Sequence, residues 1–288
     1  MKTYKKILSI TGGSTKGAGL YGIALGIMET WKPDLIVGMS VSSIFAIPLA
    51  MNIDVSNNLI YSSNKEIFGR FKPVGKKGNI SFRGLFRVLL GKSMGKQDEL
   101  KETIRSIITP NIFYEYKNKC EKNEVPKIDI VYVNYNKATI ETSRLHKLEY
   151  EEMLNNIMAS SNMPLYTNSV IVNNDICYDG GIMVANYAYN YIDSEEIRCI
   201  WARPDIETDR KNIYTKLKDK FIPTLFRTIE LQNKSISYQN ESMINLLCEK
   251  NNIKIRHYHL NSGLESFYDT DVIERKLDYE NGLILGRT

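Results

Sequence analysis

The chain has 288 residues, with 38 Lys+Arg against 33 Asp+Glu and a formal net charge of +5. Hydrophobic residues make up 43% and charged residues 25%, which excludes a mostly disordered chain and leaves ample material for a core. The charge is uneven: Lys65 to Arg105 holds eleven Lys/Arg and four Asp/Glu, a local +7 on a slightly acidic body.

Lys5 to Thr11 (KKILSIT) reads as a buried parallel strand, a short β-branched apolar run. A glycine-rich turn follows, Gly12 to Gly19, and then a helical pattern from Leu20 to Trp31, closed by Pro33. Asp34 to Met39 (DLIVGM) is a second strand, turning at Ser40 into an apolar helix, Ser42 to Met51. Strand–turn–helix twice over opens an α/β sheet, in which ligands sit beyond the carboxyl ends of the strands. Asn52 to about Asn123 reads as a basic segment, helical in pieces, inserted before a third strand at Lys127 to Val133. A helix over Tyr150 to Ser160 ends before Pro164, and Ser169 to Tyr178 reads as a hairpin turning at Asn173-Asn174. Ile197 to Ala202 is a strand, Lys211 to Lys250 a long helix or helix pair, Ile253 to Leu260 a late strand and Asp271 to Leu285 a last helix. No linker separates two domains, so the expectation is one domain over 1–288 with an insertion at about 52–123.

Cys120, Cys177, Cys199 and Cys248 form no CxxC pair and show no zinc spacing. They read as thiols of a reducing compartment, with Cys177 and Cys199 in strand-like runs. The apolar run after Lys5-Lys6 is too short for a signal-peptide core, and no run reaches the ~18 apolar residues of a spanning helix. The expectation is a cytoplasmic protein, with a peripheral membrane role compatible. No metal or cofactor is expected. Only three histidines occur, which restricts mechanisms that need a histidine base.

Three local patterns carry chemistry. Gly12-Gly13-Ser14-Thr15-Lys16-Gly17 is a strand-to-helix turn able to aim backbone N–H groups at an anion. It departs from the dinucleotide fingerprint at Ser14, and from the Walker A loop at Ala18, where that loop wants lysine. A transient oxyanion of acyl transfer, or no ligand at all, suits it as well. Gly38-Met39-Ser40-Val41-Ser42 is close to the nucleophile elbow G-x-S-x-G, although a serine there can also be a plain helix N-cap. Tyr178-Asp179-Gly180-Gly181 places a carboxylate at a strand end, or is an ordinary Asp-Gly turn.

Together these residues resemble the patatin-like phospholipase family, which reads D-G-G-G-x-[RK]-G, then G-x-S-x-G, then D-G-[GA]. A fourth match is Ala159 to Pro164 (ASSNMP), like the family's A-S-x-x-x-P segment. The resemblance covers about residues 5 to 205. It implies a three-layer α/β/α sandwich with a mostly parallel sheet, and acyl ester hydrolysis of phospholipids, lysophospholipids or neutral lipids. By that resemblance Ser40 is the nucleophile and Asp179 the base, with N–H groups around Gly12, Gly13 and Ser14 forming the oxyanion hole. Thr11 stands where the family has its first Asp, Ser14 where it has a third glycine, and Ser42 where the elbow ends in glycine.

The family's substrate gives the basic window a use. Phe82, Leu85, Phe86 and Leu89 fall at helical spacing beside Arg83 and Arg87, with Phe68 and Phe71 among further cations. Apolar groups flanked by cations suit an anionic lipid surface, and a helix packed on the core reads the same way. No nucleic-acid module accompanies the charge. Two other readings compete. One is an α/β-hydrolase triad, since His257 and His259 follow serine and aspartate in chain order. The other is a patatin-shaped binding protein with a silent site.

Overall fold

A computed structural model describes residues 4–62, 66, 86, 90, 93, 98–164, 167–203, 221–264 and 271–288. Five strands appear where β-branched apolar runs predict them: β1 (Lys6–Ile10), β2 (Leu35–Met39), β3 (Lys127–Asn134), β7 (Glu196–Trp201) and β8 (Lys254–His259). The expected hairpin is β5 (Val170–Val172) and β6 (Asp175–Asp179). Asn173 and Asn174 both take positive φ at its turn, 51° and 67°, as a type I′ hairpin requires. One strand goes unread in the sequence: β4 (Thr139–Arg144), polar and mostly half-exposed, lacks the apolar alternation that marks a strand.

The sheet runs β5-β6-β3-β2-β1-β7-β8, with β4 paired to β3. β1, β2, β3, β7 and β8 are mutually parallel, and β4, β5 and β6 run antiparallel to their neighbours. Successive residues of the central strands face opposite layers. Leu8, Ile10 and Ile36 join the core under one set of helices, while Ile7, Leu35, Val37 and Met39 join the core on the other side. All are buried, which is why these strands read as continuous apolar runs rather than alternating ones. The result is the expected mixed α/β architecture with helices on both faces of a mostly parallel sheet.

The helices are α1 (Gly17–Thr30), α2 (Val41–Ala50), α3 (Ser56–Tyr61), α4 (Asp98–Ile107), α5 (Pro110–Glu121), α6 (Tyr150–Ser160), α7 (Phe221–Lys250) and α8 (Val272–Arg287). The expected pieces of helix within 52–123 include α4 and α5, which are part of the core: Leu100, Ile104, Phe113 and Tyr116 are buried. Thr109 caps α5 ahead of Pro110, a preferred arrangement for a helix start. The stretch Ile80 to Leu90 lies outside the described residues except for Phe86 and Leu90, both exposed. So do Phe68, Phe71 and the start of the expected helix from Lys211. All four cysteines are buried free thiols. Among the described residues, no helix is long and apolar enough to cross a membrane.

α1 and α8 form the closest helix pair. A Cβ added to Gly22 would collide with the Tyr279 carbonyl, one on Gly26 with Leu283, and one on Gly282 with the Gly19 carbonyl. Backbone meets backbone, so neither helix can yield without moving the other. Asp271 caps α8 by accepting from the N–H groups of Ile273 and Glu274. Gly22→Ala is expected to destabilise the protein by about 1–3 kcal/mol through overpacking, despite alanine's better helix propensity. Thermal unfolding should show a Tm lower by about 3–10 °C, and an unchanged Tm would refute the close seam.

Candidate active site

β2 ends at Met39, and Ser40 turns the chain into α2 with φ 58° and ψ −130°. A non-glycine residue at positive φ stores strain on the order of 1–3 kcal/mol. The turn is tight enough that a Cβ on Gly38 would stand 3.2 Å from the Ser42 carbonyl oxygen. Ser42, in place of the family's glycine, is fully buried and fits. Its Oγ accepts from the Met39 N–H at 2.7 Å and lies 3.0 Å from the Ile10 carbonyl oxygen. The departure therefore ties the elbow to β1.

The glycine-rich loop is pressed against this turn. A Cβ on Gly12 would sit 2.7 Å from the Ser40 Cβ and 3.4 Å from its Oγ. One on Gly13 would meet Ala202 and Leu20 at 2.9 Å, and one on Gly17 would meet Val41 at 2.5 Å. Glycine is required here for close approach. Among the described residues, none accepts a hydrogen bond from the Gly12 or Gly13 N–H. Ser14 takes φ 48°, which explains why glycine suits that position and why serine there carries strain. Thr11 does not face the chemistry: its Oγ1 accepts from the Ala202 N–H at 3.0 Å and its N–H donates to Ile200 at 3.1 Å, tying β1 to β7.

Asp179 reaches Ser40 through the register of β3. Val131 of β3 pairs with Met39 of β2, and the next residue, Tyr132, pairs with Asp179 of antiparallel β6. The ends of β2 and β6 therefore meet head to head. A Cβ on Gly180 would stand 2.8 Å from Met39 Sδ, so the Asp-Gly-Gly turn needs its first glycine for this approach. The Asp179 carboxyl lies at this junction beside Ser40, and its Oδ1 accepts from the Gly181 N–H at 2.8 Å. It is 2% exposed. Burial pushes its pKa up to about 6, against the opposing pull of neighbouring Ser40 and the Gly181 N–H.

The structure thus brings Ser40 against Gly12 and beside Asp179, while Gly13 packs against Ala202 and Leu20 and Ser14 lines the adjoining cavity. It directs the histidines elsewhere. Trp201 donates its indole N–H to His257 Nδ1 at 2.9 Å, which leaves the ring hydrogen on Nε2, 2.7 Å from Asn245 Oδ1. Burial lowers the His257 pKa to about 4, so it is neutral at pH 7. His259 Nε2 stands 3.2 Å from Glu241, which also pairs with Arg203. Among the described residues, no cluster of three His, Cys, Asp or Glu could hold a metal. The sequence pattern did not give a role to Ser160, Ser161 and Asn162, which touch the backbones of Ser40 and Asp179; the ASSNMP segment was the only signal.

A cavity opens beside the loop and the first turn of α2, lined by Ser14, Gly17, Val41, Ile44, Leu100 and Ile107 among others. Its wall is mainly apolar.

Residues 8–190 match the family model for the patatin-like phospholipase. No curated protein sequence matches the chain. Among solved structures, VipD from Legionella pneumophila is similar at 10% identity and a TM-score of 0.44, over 98% of this chain and 67% of that one.

If Asp179 acts as a base, its ionised form is the working one. Reaction of Ser40 should then fall about tenfold per pH unit below pH 6. The stability sign is opposite. A raised folded pKa favours the acid form, so that contribution is full below the unfolded value near 4 and is lost as pH rises through about 6. Asp179→Asn is expected to raise Tm by a few degrees at pH 7.5 and to leave it unchanged at pH 4 while abolishing the reaction of Ser40. A lower Tm at pH 7.5 would contradict the burial argument.

Proposed function

The chain belongs to the patatin-like phospholipase family, and from that premise we propose that it hydrolyses acyl esters of phospholipids or lysophospholipids through a Ser40–Asp179 dyad. The observation that carries this reading is the meeting of Ser40 and a buried aspartate at the adjoining ends of β2 and β6, where burial pushes the aspartate's pKa up to about 6. Ser40 Oγ attacks the ester carbonyl while its proton passes to Asp179. The Gly12 and Gly13 N–H groups, with that of Ser14 beside them, hold the oxyanion as it forms. Collapse expels the alcohol, which takes the proton from Asp179, and leaves an acyl group on Ser40 Oγ. Water then attacks that ester, giving its proton to Asp179, and the fatty acid leaves as Ser40 recovers its hydrogen. No histidine is needed for either half. The apolar cavity beside Val41 and Ile44 suits the acyl chain.

A fluorophosphonate probe is expected to label the wild type and not Ser40→Ala. Mass spectrometry of mixed phospholipids should show free fatty acid from the wild type alone. His257→Ala and His259→Ala should keep that activity, and its loss in either would favour a triad instead. Labelling that persists in Ser40→Ala would remove Ser40 from the mechanism.

The lipid surface is the proposed partner of the basic window around Lys65 to Arg105, in a peripheral, cytoplasmic setting, and the exposure of Phe86 and Leu90 supports that role. Each surface cation adds on the order of 1 kcal/mol on an anionic bilayer. Changing Lys72, Lys76 and Lys77 to glutamine should weaken flotation with anionic vesicles by about tenfold or more. Equal flotation of the variant would dispose of the docking role.

A further inference from the structure

Three consecutive residues touch the backbones of both members of the pair. Ser160, the last residue of α6, accepts a hydrogen bond at its Oγ from the Ser40 N–H at 3.0 Å. The same Oγ donates to the Val131 carbonyl at 2.7 Å. A hydroxyl has one hydrogen, so donation to Val131 fixes Ser160 as the acceptor toward Ser40. Ser161 Oγ donates to the Ser40 carbonyl at 3.2 Å. The Asn162 carbonyl accepts from the Asp179 N–H at 2.9 Å, and the Asn162 side-chain amide donates to the Cys177 carbonyl at 3.2 Å. Ser160 and Asn162 are fully buried.

The two backbone groups of Ser40 are held unequally. Its carbonyl is served by the Ser43 N–H at 3.0 Å, the Ser43 hydroxyl and the Ser161 hydroxyl. Its N–H has Ser160 alone among the described residues. The strained turn at φ 58° has to be held by such contacts, since the backbone does not favour it. An unmatched N–H there also carries a desolvation penalty, which drives the turn to relax. Relaxation rotates the Ser40 side chain relative to Asp179 and the Gly12 N–H.

We propose that Ser160 is a positioning residue for the hydrolysis. By holding the Ser40 amide against the end of β3, it sets where the nucleophilic oxygen stands between the base and the oxyanion donors. β3 pairs with Asp179 one residue further on, so a single hydroxyl ties the nucleophile to the strand that locates its base. The Ser40 amide is thereby engaged and is not a donor to the oxyanion. This inference rests on the Ser40–Asp179 reading.

The test uses the full chain as wild type, Ser160→Ala, Ser160→Cys and Ser161→Ala. Three quantities are read: the rate of fluorophosphonate labelling, kcat and KM on a soluble p-nitrophenyl ester, and Tm. Cysteine is close to serine in size but a weaker acceptor, so it keeps the packing and loosens the bond. Ser160→Ala should lower labelling and kcat by about 10–100-fold, with KM changed by less than about twofold. Ser160→Cys should fall between, at a Tm near that of the wild type. Ser161→Ala should change kcat by less than about threefold, because Ser43 still serves the carbonyl. A folded Ser160→Cys at the wild-type rate overturns the proposal, whether or not Ser160→Ala folds. So does an equal loss in Ser160→Ala and Ser161→Ala. A wild type that neither labels nor turns over ester overturns the dyad reading, and the positioning role with it.

Discussion

Strand β3 divides one of its edges between two neighbours. Its residues Lys127 to Val131 run beside β2, and Tyr132 to Asn134 run beside β6, while β4 covers the other edge. β2 and β6 approach along that edge from opposite directions and stop one residue apart in register. Ser40 and Asp179 are the residues at that junction. No loop has to carry either group across a gap, and this is why two residues separated by nearly half the chain come to lie side by side. The glycines of the site follow from the same geometry. Gly180 lets β6 come up against Met39, and Gly12 lets the first loop come up against Ser40. A side chain at either place would push the strand ends apart.

Burial at this junction acts in two directions on Asp179. Removing water disfavours its charge and lifts its pKa to about 6, while neighbouring Ser40 and the Gly181 N–H that donates to it pull the other way. A carboxylate hydrogen-bonded this way in water would be far too weak a base to take a serine proton. The dry setting strengthens it, and the folded state bears an ionisation cost on the order of 3 kcal/mol near neutral pH. The neutral, enclosed His257 shows the same burial acting on a base of opposite charge type, with its pKa moved down to about 4. Burial alone therefore does not select a catalytic group. What distinguishes Asp179 is its place at the end of β6, beside the serine turn that ends β2.

The parts of the site that depend on local backbone demands were legible in the sequence. A glycine that must lie against a neighbour, a serine at a strand end and an aspartate before two glycines each leave a short signature, as at Gly12, Ser40 and Asp179. Serines at positions 14 and 42 obscured two of those signatures, yet Ser42 is accommodated through its own hydrogen bonds. Ser160 was not legible in the same way. The ASSNMP segment marks the place but not the role, which comes from a contact with Ser40 across 120 positions of chain and one with the end of β3. β4 was hidden for another reason: it borders the sheet with little to bury, so its residues carry no periodic apolar mark. The neighbours of His257 and His259 were not legible either: Glu241 comes from the packing of α7 on the sheet and Trp201 from the pairing of β7 with β8.

The glycine seam between α1 and α8 has a consequence for the order in which the protein is made. α1 begins where the glycine-rich loop ends, and its glycine face has no cover from α8 until residues 272–287 have been synthesised. At ribosomal speeds that interval is on the order of tens of seconds. During it, β1, β2 and the serine turn are already outside the ribosome with one side of their helical layer bare. The layer that carries the glycine-rich loop and the serine turn therefore stays incomplete until α8 has been made.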